Sequence, residues 1–520
     1  MSHAADVDAV VIGGGHNGLV AAAYLARAGL RVRLLERLGH VGGAAVSARA
    51  FDGVGVRLSR YSYLVSLLPP RIGDDLGAGV RLARRRYSSY TPDPATGGRR
   101  GLLIGAAGDA FAAIGAGPDE HGFAAFYERC RLVTQRLWPT LLEPLCTREQ
   151  ARRRVAAGGD AAAAWHALID EPIGRAIAAA VGNDVVRGVI ATDALIGTFA
   201  RLDDPSLIQN VCFLYHVLGG GTGDWDVPVG GMGALTEALA AAAVGHGAEI
   251  TTGVEVYAVE PDGLVRFRAR DEEQVIRARF VLAGVTPTVL AGLLGERPPA
   301  PAQGAQVKVN MVLRRLPRLR DDAVTAEQAF TGTFHVNEAW TQLDTAYARA
   351  AAGHVPDPLP CEAYCHSLTD PSILSADLRE SGAHTMTVFG LHTPHSLFDG
   401  TYSGALRDRL TESVLASLNS VLAEPIQELL LPDAHGRPCI ETTTTLDLHR
   451  TLRMTAGNIF HGGLAWPFAD DDDPLDTPAR QWGVATAHER IMLCGSGTRR
   501  GGAVSGIGGH NAAMSVLASL

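Results

Sequence analysis

The alternation of apolar and polar residues predicts a strand, a helix and a second strand at the start of the chain. Ala9–Ile12 is a short apolar run, typical of a parallel strand that is buried on both faces. A glycine-rich turn and a helix of small residues follow directly, and Gly29 suits the C-terminal end of that helix. Arg31–Leu35 predicts the second strand, and an acidic residue, Glu36, stands at its end. This order predicts a βαβ unit.

Helices are predicted to dominate from about residue 119 to residue 218. Apolar residues recur at spacings of three and four between residues 123 and 137, which indicates one helical stripe. Asp160 is expected to cap the alanine-rich turn that follows it. Asp204-Pro205 is expected to begin a helix that reaches His216. These elements predict a helical subdomain or lid.

An α/β pattern resumes near Val227. The predicted strands are 249–252, 254–259, 264–270, 280–283, 306–313, 361–367, 385–391 and 491–494, and the predicted helices are 234–244, 404–422 and 510–517. We therefore predict an α/β chain with a discontinuous cofactor domain, because the helical segment interrupts it. The basic, turn-rich run over 81–100 is predicted to be a hairpin or loop at the surface.

Composition limits the class of protein. Of the 520 residues 47% are hydrophobic and 19% charged, as in ordinary globular proteins. The 46 basic and 55 acidic residues give a net charge of −9, which argues against nucleic acid as a partner. The sequence has no uncharged apolar stretch long enough to span a membrane, and Asp6 and Asp8 interrupt any signal-peptide pattern. We expect a cytoplasmic protein.

The cysteines predict reduced thiols and no metal site. There are seven, an odd number. Cys361 and Cys365 stand beside His366, but no second pair occurs at metal-binding spacing, so buried or incidental thiols are predicted. No C-x-x-C pair is present either, which argues against disulphide redox chemistry.

The turn after the first strand has the spacing of a dinucleotide-binding loop. Gly13 permits the tight turn, Gly15 lets the backbone approach a pyrophosphate, and Gly18 lets helix and strand pack closely. The diphosphate would lie on the free N–H groups at the helix N-terminus. Glu36, 18 residues after Gly18, is placed to accept both hydroxyls of an adenosine ribose. The alternative is a glycine-rich turn in another α/β fold.

A second strand, glycine loop and helix occur near the end of the chain. The strand over 491–494 leads into Gly495-Ser496, and Ser505-Gly506-Ile507 leads into the final helix. This loop again presents backbone donors to an anionic group. NAD requires only the first of the two loops, whereas FAD, with a flavin to hold as well, would use both. The sequence therefore favours FAD.

Several motifs together resemble the phytoene-desaturase-like flavoproteins. They are GGGHNGLVAAAYLARAG, ER-x3-VGGAA, VGGMGALTEAL, GNIFHGG and LCGSGTRRGG-x5-GGHNAA. The resemblance is greatest to the branch that holds the pyridine nucleotide-disulphide oxidoreductase domain-containing proteins and the bacterial carotene ketolases. It implies a Rossmann-like FAD domain of the two-dinucleotide-fold type, with non-covalent FAD, and an inserted α+β substrate domain. We expect the FAD domain over 1–75, 227–300 and 480–520, and the substrate or lid domain over 76–226 and 301–479.

The resemblance also implies roles for single residues. Glu36 resembles the ribose-binding acid, Gly42-Gly43 the pyrophosphate loop, and Val256 the valine whose backbone meets the adenine. Ser505-Gly506-Ile507 resembles the helix start whose amides face the flavin. The cofactor-binding residues expected from the motifs are Gly13, Gly14, Gly15, His16, Asn17, Gly18, Glu36, Arg37, Gly42, Gly43, Ala44, Ala45, Val256, Gly495, Ser496, Ser505, Gly506 and Ile507.

Two positions depart from the pattern of the relatives. Ala44 stands where many of them have an arginine after the paired glycines. Ser496 stands where many flavoproteins have an aspartate that holds the ribityl chain, and a hydroxyl is a weaker, neutral acceptor. The ribityl contact is therefore predicted less firmly by the motif than the phosphate contacts.

Candidate catalytic and substrate residues follow from the same comparison. Lys308 is similar in position to a lysine of monoamine oxidases that holds a water near flavin N5; the alternative is a strand lysine at the surface. His461 is either a general base in the flavin pocket or a structural histidine bonded to backbone. Tyr61, Tyr63 and His216 are candidate substrate-cavity residues, with core packing as the alternative.

The leading hypothesis is an FAD-dependent desaturase or dehydrogenase that takes a hydride from a C–H or C–N bond of a small apolar or natural-product molecule. The alternatives are a flavin amine oxidase, a carotenoid ketolase and a non-catalytic protein that holds FAD. The electron acceptor, O2 or a quinone, and the oligomeric state are left open by the sequence. No basic amphipathic stripe supports membrane contact.

Overall fold

Two seven-stranded sheets organise the chain in a computed structural model that describes residues 5–105, 110–270, 272–398 and 403–520. The first sheet takes its strands from the beginning, the middle and the last part of the sequence. The second takes its strands from the two stretches in between. Each sheet is therefore assembled from segments that are distant in the sequence.

Val7–Ile12 lies inside the first sheet and pairs in parallel with a strand on each side. The strands lie in the order Val254–Val259, Leu264–Ala269, Glu272–Ala283, Val7–Ile12, Val32–Glu36 and Glu249–Thr252, and Ile491–Leu493 pairs in parallel with Glu272–Ala283. The first three strands pair with one another in antiparallel register, and the pairs that follow in the sheet are parallel. The predicted α/β class with a discontinuous Rossmann-like sheet is confirmed.

The helix His16–Arg27 packs between Met232–Gly245 and Ile507–Ala518 and is buried along nearly its whole length. Its closest contact with the final helix requires a glycine. A Cβ at Gly509 would lie 2.0 Å from the carbonyl oxygen of Asn17, a distance that no real contact shows. The absence of a side chain at Gly509 therefore lets the two helices touch backbone to backbone.

The second sheet is almost entirely antiparallel. Its strands lie in the order Ile440–Thr444, Val307–Leu313, His384–Gly390, Cys361–Tyr364, Thr333–Val336, Tyr87–Pro92 and Gly101–Gly105. The pair Thr333–Val336 and Tyr87–Pro92 is parallel. Two short ribbons, Ser47–Ala48 with Leu58–Ser59 and Leu82–Ala83 with Val227–Pro228, complete the pairing among the strands described.

A helical segment covers residues 120–218. Its helices are Glu120–Leu137, Arg148–Val155, Gly159–Trp165, Ile173–Ala180, Asp184–Ala191 and Ile208–Leu218. The other α-helices are Pro70–Leu76, Pro287–Leu294, Ala326–Thr331, Trp340–Ala351, His366–Thr369, Ala376–Glu380, Ser403–Asn419, Thr445–Leu452 and Pro478–Gln481. The predicted stripe on Glu120–Leu137 is confirmed, because Phe126, Cys130 and Val133 are buried in one apolar cluster.

The helix predicted from Asp204 begins four residues later, at Ile208–Leu218, so that prediction is wrong at its start. The Asp204 carboxylate accepts a hydrogen bond from the Ser206 N–H at 2.9 Å. Leu207 then adopts a left-handed φ of 60°. Side chains that bond to their own backbone compete with the helix in this way.

Further boundaries differ from prediction. The strand predicted over 280–283 begins at Glu272, the helix predicted over 404–422 ends at Asn419, and the final helix predicted over 510–517 begins at Ile507. Asp160 lies inside the helix Gly159–Trp165, whose N-cap is Gly158, so it does not cap that helix. The strand predicted over 361–367 stops at Tyr364, because a short helix follows at His366.

The basic run over 81–100 contains the first strand of a hairpin, as one alternative predicted, since Tyr87–Pro92 pairs antiparallel with Gly101–Gly105, but this hairpin is not at the surface. Tyr87–Pro92 is a mostly buried strand of the second sheet. Arg85 donates from Nε to the Trp225 carbonyl oxygen at 3.0 Å and from its guanidinium to the Thr333 hydroxyl at 3.0 Å. The prediction missed that this arginine is satisfied by partners from distant segments.

Within the described part of the chain, no helix combines the length and the apolar character needed to cross a membrane. The expected domain boundaries stay a prediction.

Candidate functional site

A cavity of about 770 Å³ is lined by residues of both sheets and of the helical segment. Two parts of its surface carry most of the chemistry. The first, here called the glycine wall, consists of Gly13, Gly15, His16, Asn17, Gly18, Glu36, Arg37, Gly43, Ala44, Val256, Gly495 and Ser496. The second, here called the polar wall, consists of Arg85, Asp193, His335, Glu362 and Tyr364.

Gly15 leaves open space at the glycine wall. A Cβ built on Gly15 would meet no atom within 4 Å, although its backbone pairs with that of Gly42. Gly15 is also the N-cap of the helix His16–Arg27, and no side chain of the described residues caps that helix. Its first N–H groups are therefore available to an anionic ligand.

The Glu36 side chain links two backbone segments of the glycine wall by hydrogen bonds. Its buried carboxylate accepts the Gly14 N–H at 2.7 Å through Oε2 and the Leu38 N–H at 2.7 Å through Oε1. A carboxylate has about four acceptor positions, so two remain for a ligand. The ribose contact expected of Glu36 stays a prediction.

The C-terminal loop reaches the same wall. Asn17 Nδ2 donates to Ser496 Oγ at 3.4 Å. His16 Nε2 and Asn17 Oδ1 are buried and have no hydrogen-bond partner among the described residues. Burial lowers the pKa of His16 to about 4, so the ring is neutral at pH 7. Unsatisfied polar atoms beside an open cradle fit a polar ligand such as a dinucleotide.

Six of the expected cofactor residues do not contribute to the cavity surface: Gly14, Gly42, Ala45, Ser505, Gly506 and Ile507. The Ile507 N–H donates to Ser505 Oγ at 3.2 Å, so this amide is already used. Ala503 and Val504, just before it, line the cavity instead. The flavin contact expected of the 505–507 amides stays a prediction.

Lys308 lies in the cavity surface and is the only lysine among the 520 residues. It is 4% exposed, and Nζ donates to the carbonyl oxygens of Ser59 at 2.6 Å and Tyr61 at 2.8 Å. Nζ also lies 4.8 Å from the centre of the Tyr63 ring. Burial holds the pKa of this amine well below its usual range. The alternative of a surface lysine is excluded.

The other candidate residues line the same cavity. Tyr61 and Tyr63 follow the short strand Leu58–Ser59. Lys308 Nζ contacts the carbonyl oxygen of Tyr61 and the ring of Tyr63. His216 bonds through Nδ1 to the Cys212 carbonyl oxygen at 2.9 Å. His461 has a left-handed φ of 64°, and burial lowers its pKa to about 4. A neutral ring of such low pKa is a weak base at pH 7.

The polar wall was missed by sequence reasoning. Tyr364 donates its hydroxyl to Glu362, and the Tyr364 ring lies 4.8 Å from that of Tyr63. Burial raises the pKa of Glu362 to about 8 and that of Asp193 above its usual range. One signal in the sequence could have found it. Glu362 is a charged residue inside the apolar strand Cys361–Tyr364, and a charged residue is rarely buried without a partner.

Comparison with known proteins supports a dinucleotide site. A family profile for NAD(P)-binding Rossmann-like domains matches residues 11–71. The uncharacterized protein Rv0897c of Mycobacterium tuberculosis is 73% identical over 527 aligned positions, covering 100% of this chain and 98% of its own. Pyridine nucleotide-disulfide oxidoreductase domain-containing protein 2 of Mus musculus is 29% identical, covering 99% of this chain and 94% of its own.

Solved structures share the fold. Cyclohexylamine oxidase from Brevibacterium oxydans superposes with a TM-score of 0.56 at 14% identity, over 99% of both chains. An oxidoreductase from Methanosarcina mazei gives a TM-score of 0.56 at 16% identity, over 98% of this chain and 99% of its own. At such identities the likeness establishes the architecture alone.

Proposed function

The chain belongs to the same family as Rv0897c of Mycobacterium tuberculosis and is homologous to the pyridine nucleotide-disulfide oxidoreductase domain-containing proteins, and from this premise we propose that it is an FAD-dependent desaturase or dehydrogenase. Its substrate would be a small molecule, apolar over most of its length, that loses a hydride from a C–H bond, which in an amine is the C–H bond beside the nitrogen. The two glycine-rich loops and the flavoprotein motifs of the sequence make FAD the cofactor that we propose for the site.

The observation that carries this proposal is the continuity of one cavity from the glycine wall, past Lys308, to the polar wall. A cofactor held at both the first glycine turn and the loop at Gly495-Ser496 must be long enough to reach them together. FAD meets that requirement, whereas the ribose and phosphate part of NAD uses only the first turn. The fit is supported by the open space at Gly15 and the unsatisfied atoms of His16 and Asn17.

In this proposal FAD, when bound, supplies the hydride acceptor. The chain's own groups bind the substrate, exclude water and hold protons. Lys308 donates two N–H groups to the carbonyl oxygens of Ser59 and Tyr61. The remaining position of Nζ, a third N–H in the charged amine or a lone pair in the neutral one, is left for a water molecule or a substrate group in the cavity.

The cavity surface favours a substrate with an apolar body and a polar end. Its apolar part includes Leu67, Ile104, Phe123, Val189 and Ile196. Charged groups line another part of the surface, among them Arg84, Arg85, Arg131, Asp193 and Asp224. A purely hydrocarbon substrate would leave that area without partners, at a cost in binding free energy.

A second candidate function is a flavin amine oxidase. The carboxylates of Asp193 and Glu362 in the polar wall could pair with a substrate ammonium group. This activity would release hydrogen peroxide and ammonia from an amine, whereas a desaturase releases no ammonia.

The test is the visible spectrum of the purified protein. We expect flavin bands near ~370 and ~450 nm that bleach when substrate is added without air. Reoxidation by O2 or by a quinone would then identify the electron acceptor. Oxygen incorporation into the product would indicate a ketolase, and bound FAD that stays oxidised across a broad substrate panel would indicate a binding protein. Protein that lacks FAD and does not bind added FAD would refute the proposal.

A further inference from the structure

Three donor side chains lie close together, two from the polar wall and one just outside it. His335 and Glu362 are directly opposite each other on the paired strands Thr333–Val336 and Cys361–Tyr364. Glu338 follows in the turn after the first of these strands. One ligand atom from each of the three side chains can be chosen so that all lie within 4.8 Å of one another.

We propose that His335, Glu338 and Glu362 bind one divalent transition-metal ion. An imidazole nitrogen with two carboxylate oxygens is a donor set that suits Zn²⁺, Mn²⁺ and Fe²⁺. His335 Nδ1 lies 2.6 Å from Glu338 Oε2 and 3.8 Å from Glu362 Oε1. Small rotations of these side chains would bring all three donors to bonding distance of a common ion. This site goes beyond the proposed flavin chemistry, which does not require it.

Burial leaves the two acids either protonated or in need of a positive charge. Glu338 is 1% exposed and Glu362 is 3% exposed. Glu338 Oε1 is buried and has no hydrogen-bond partner among the described residues. A buried carboxylate oxygen without a donor is costly, and a metal ion would satisfy it. The hydrogen bonds of the nearby Arg85 go to Trp225 and Thr333 rather than to these acids.

The backbone holds the donors in place. Asn337, between His335 and Glu338, has a left-handed φ of 57°, which turns both side chains to the same side. The helix Asp184–Ala191 packs directly against the turn. A Cβ at Gly188 would lie 1.8 Å from the Glu338 carbonyl oxygen, so the two backbones are in contact there. His335 and Glu362 line the cavity and Glu338 does not. The vacant coordination position of the ion would therefore face the cavity, where water or a substrate oxygen could fill it.

The experiment counts metal in the full chain. Purified protein is stripped with a chelator, incubated separately with Zn²⁺, Mn²⁺ and, without air, Fe²⁺, desalted, and measured by mass spectrometry of the elements. We expect about one ion per chain for at least one of the three metals. Glu338→Gln and Glu362→Gln should each lower the affinity about tenfold or more. The matched control is Glu128→Gln, which removes a cavity carboxylate outside the polar wall and should keep the ion.

Two outcomes would overturn the site: no bound ion with any of the three metals, or full binding by Glu338→Gln. If a variant does not fold, the wild-type protein is titrated with Mn²⁺ and the electron paramagnetic resonance signal of the free ion is recorded. Loss of that signal shows that the ion binds. A protonated His–Glu hydrogen bond without metal would give no loss of that signal. Flavin content is read from the same samples and does not enter the metal count, so failure of either proposal is seen separately.

Discussion

Asn17 and Ser496 are separated by 479 positions in the sequence, yet the Asn17 amide donates to the Ser496 hydroxyl at 3.4 Å. Asn17 belongs to the first helix, and Ser496 to the loop that follows the strand Ile491–Leu493. Their contact joins the two glycine-rich loops on one cavity surface. Four predictions follow from the surroundings of this contact and of Lys308.

Gly15→Val should weaken cofactor binding. The new side chain would enter open space in the cavity surface, since a Cβ at Gly15 meets nothing within 4 Å, and would occupy the volume assigned to the diphosphate. We expect the affinity for FAD to fall at least about tenfold, or about 1.4 kcal/mol. Fluorescence titration of the apoprotein measures it. Gly39→Val, in an exposed loop with equally open space, is the control and should bind normally. Equal affinities of the two variants would contradict the assignment.

Glu36→Ala should destabilise the fold even without cofactor. It removes the acceptor of the Gly14 and Leu38 N–H groups and leaves both donors without their partner. We expect the free energy of unfolding to fall by about 2–5 kcal/mol, because each unsatisfied donor carries a desolvation cost. Urea denaturation of the apoproteins measures the change. Glu36→Gln keeps one carbonyl acceptor and should lose less. A Glu36→Ala variant as stable as wild type would show that these bonds contribute nothing.

The amine of Lys308 should titrate far below an ordinary lysine. Burial disfavours its charged form and lowers its pKa, and the chain contains no second lysine to obscure the measurement. Reductive methylation with ¹³C-formaldehyde gives one lysine signal, which is followed by NMR as the pH is raised. We expect the midpoint well below the usual ~10.4. Lys308→Met assigns the signal by removing it. A midpoint at the ordinary value would mean that the amine is solvated.

The buried histidines should make the protein lose stability as the pH falls from neutrality, and the raised pKa of Glu362 opposes this loss in part. Burial lowers the pKa of His16, His392 and His461 to about 4 in the folded chain, whereas an unfolded histidine has a pKa of about 6.5. Between these values the unfolded chain binds more protons, so the free energy of unfolding rises with pH there and its full contribution is present above about 6.5. Within that window each histidine changes the free energy of unfolding by at most about 1.4 kcal/mol per pH unit.

The matched variant for this prediction is His392→Asn. Both ring nitrogens of His392 lack hydrogen-bond partners among the described residues, and its φ of 53° is one that asparagine tolerates. Denaturation at pH 7.5, 6 and 5 should show a shallower pH dependence for the variant, by up to one proton. An unchanged slope would indicate that His392 is protonated in the folded chain.

The part of the structure that follows local rules could be predicted from the sequence. The strands Glu249–Thr252 and Val254–Val259 were predicted to the residue, because Gly253 separates them and the turn Pro261-Asp262-Gly263 follows the second. The glycine turn after Ile12 was recognised because its spacing has a direct mechanical reason. The helix predicted from Asp204 failed where a side chain bonded to its own backbone instead.

The polar wall could not be predicted, because tertiary pairing creates it. His335 and Glu362 meet only when two strands separated by a helix pair in antiparallel register. Arg85 lies in a run of arginines that reads as solvated surface, and its burial depends on Trp225 and Thr333 from other segments. Lys308 was recognised by its motif, but its contacts with the Ser59 and Tyr61 carbonyls required the structure.

The backbone contact between Gly509 and Asn17 has a consequence for synthesis. A ribosome makes the first glycine turn hundreds of residues before the strand Ile491–Leu493 and the helix Ile507–Ala518 that complete its surroundings. The nascent chain must therefore keep the apolar face of His16–Arg27 sheltered until those segments emerge. A cofactor is thus expected to bind after translation rather than during it. A truncation within these last elements would remove part of the surface that surrounds the first glycine turn.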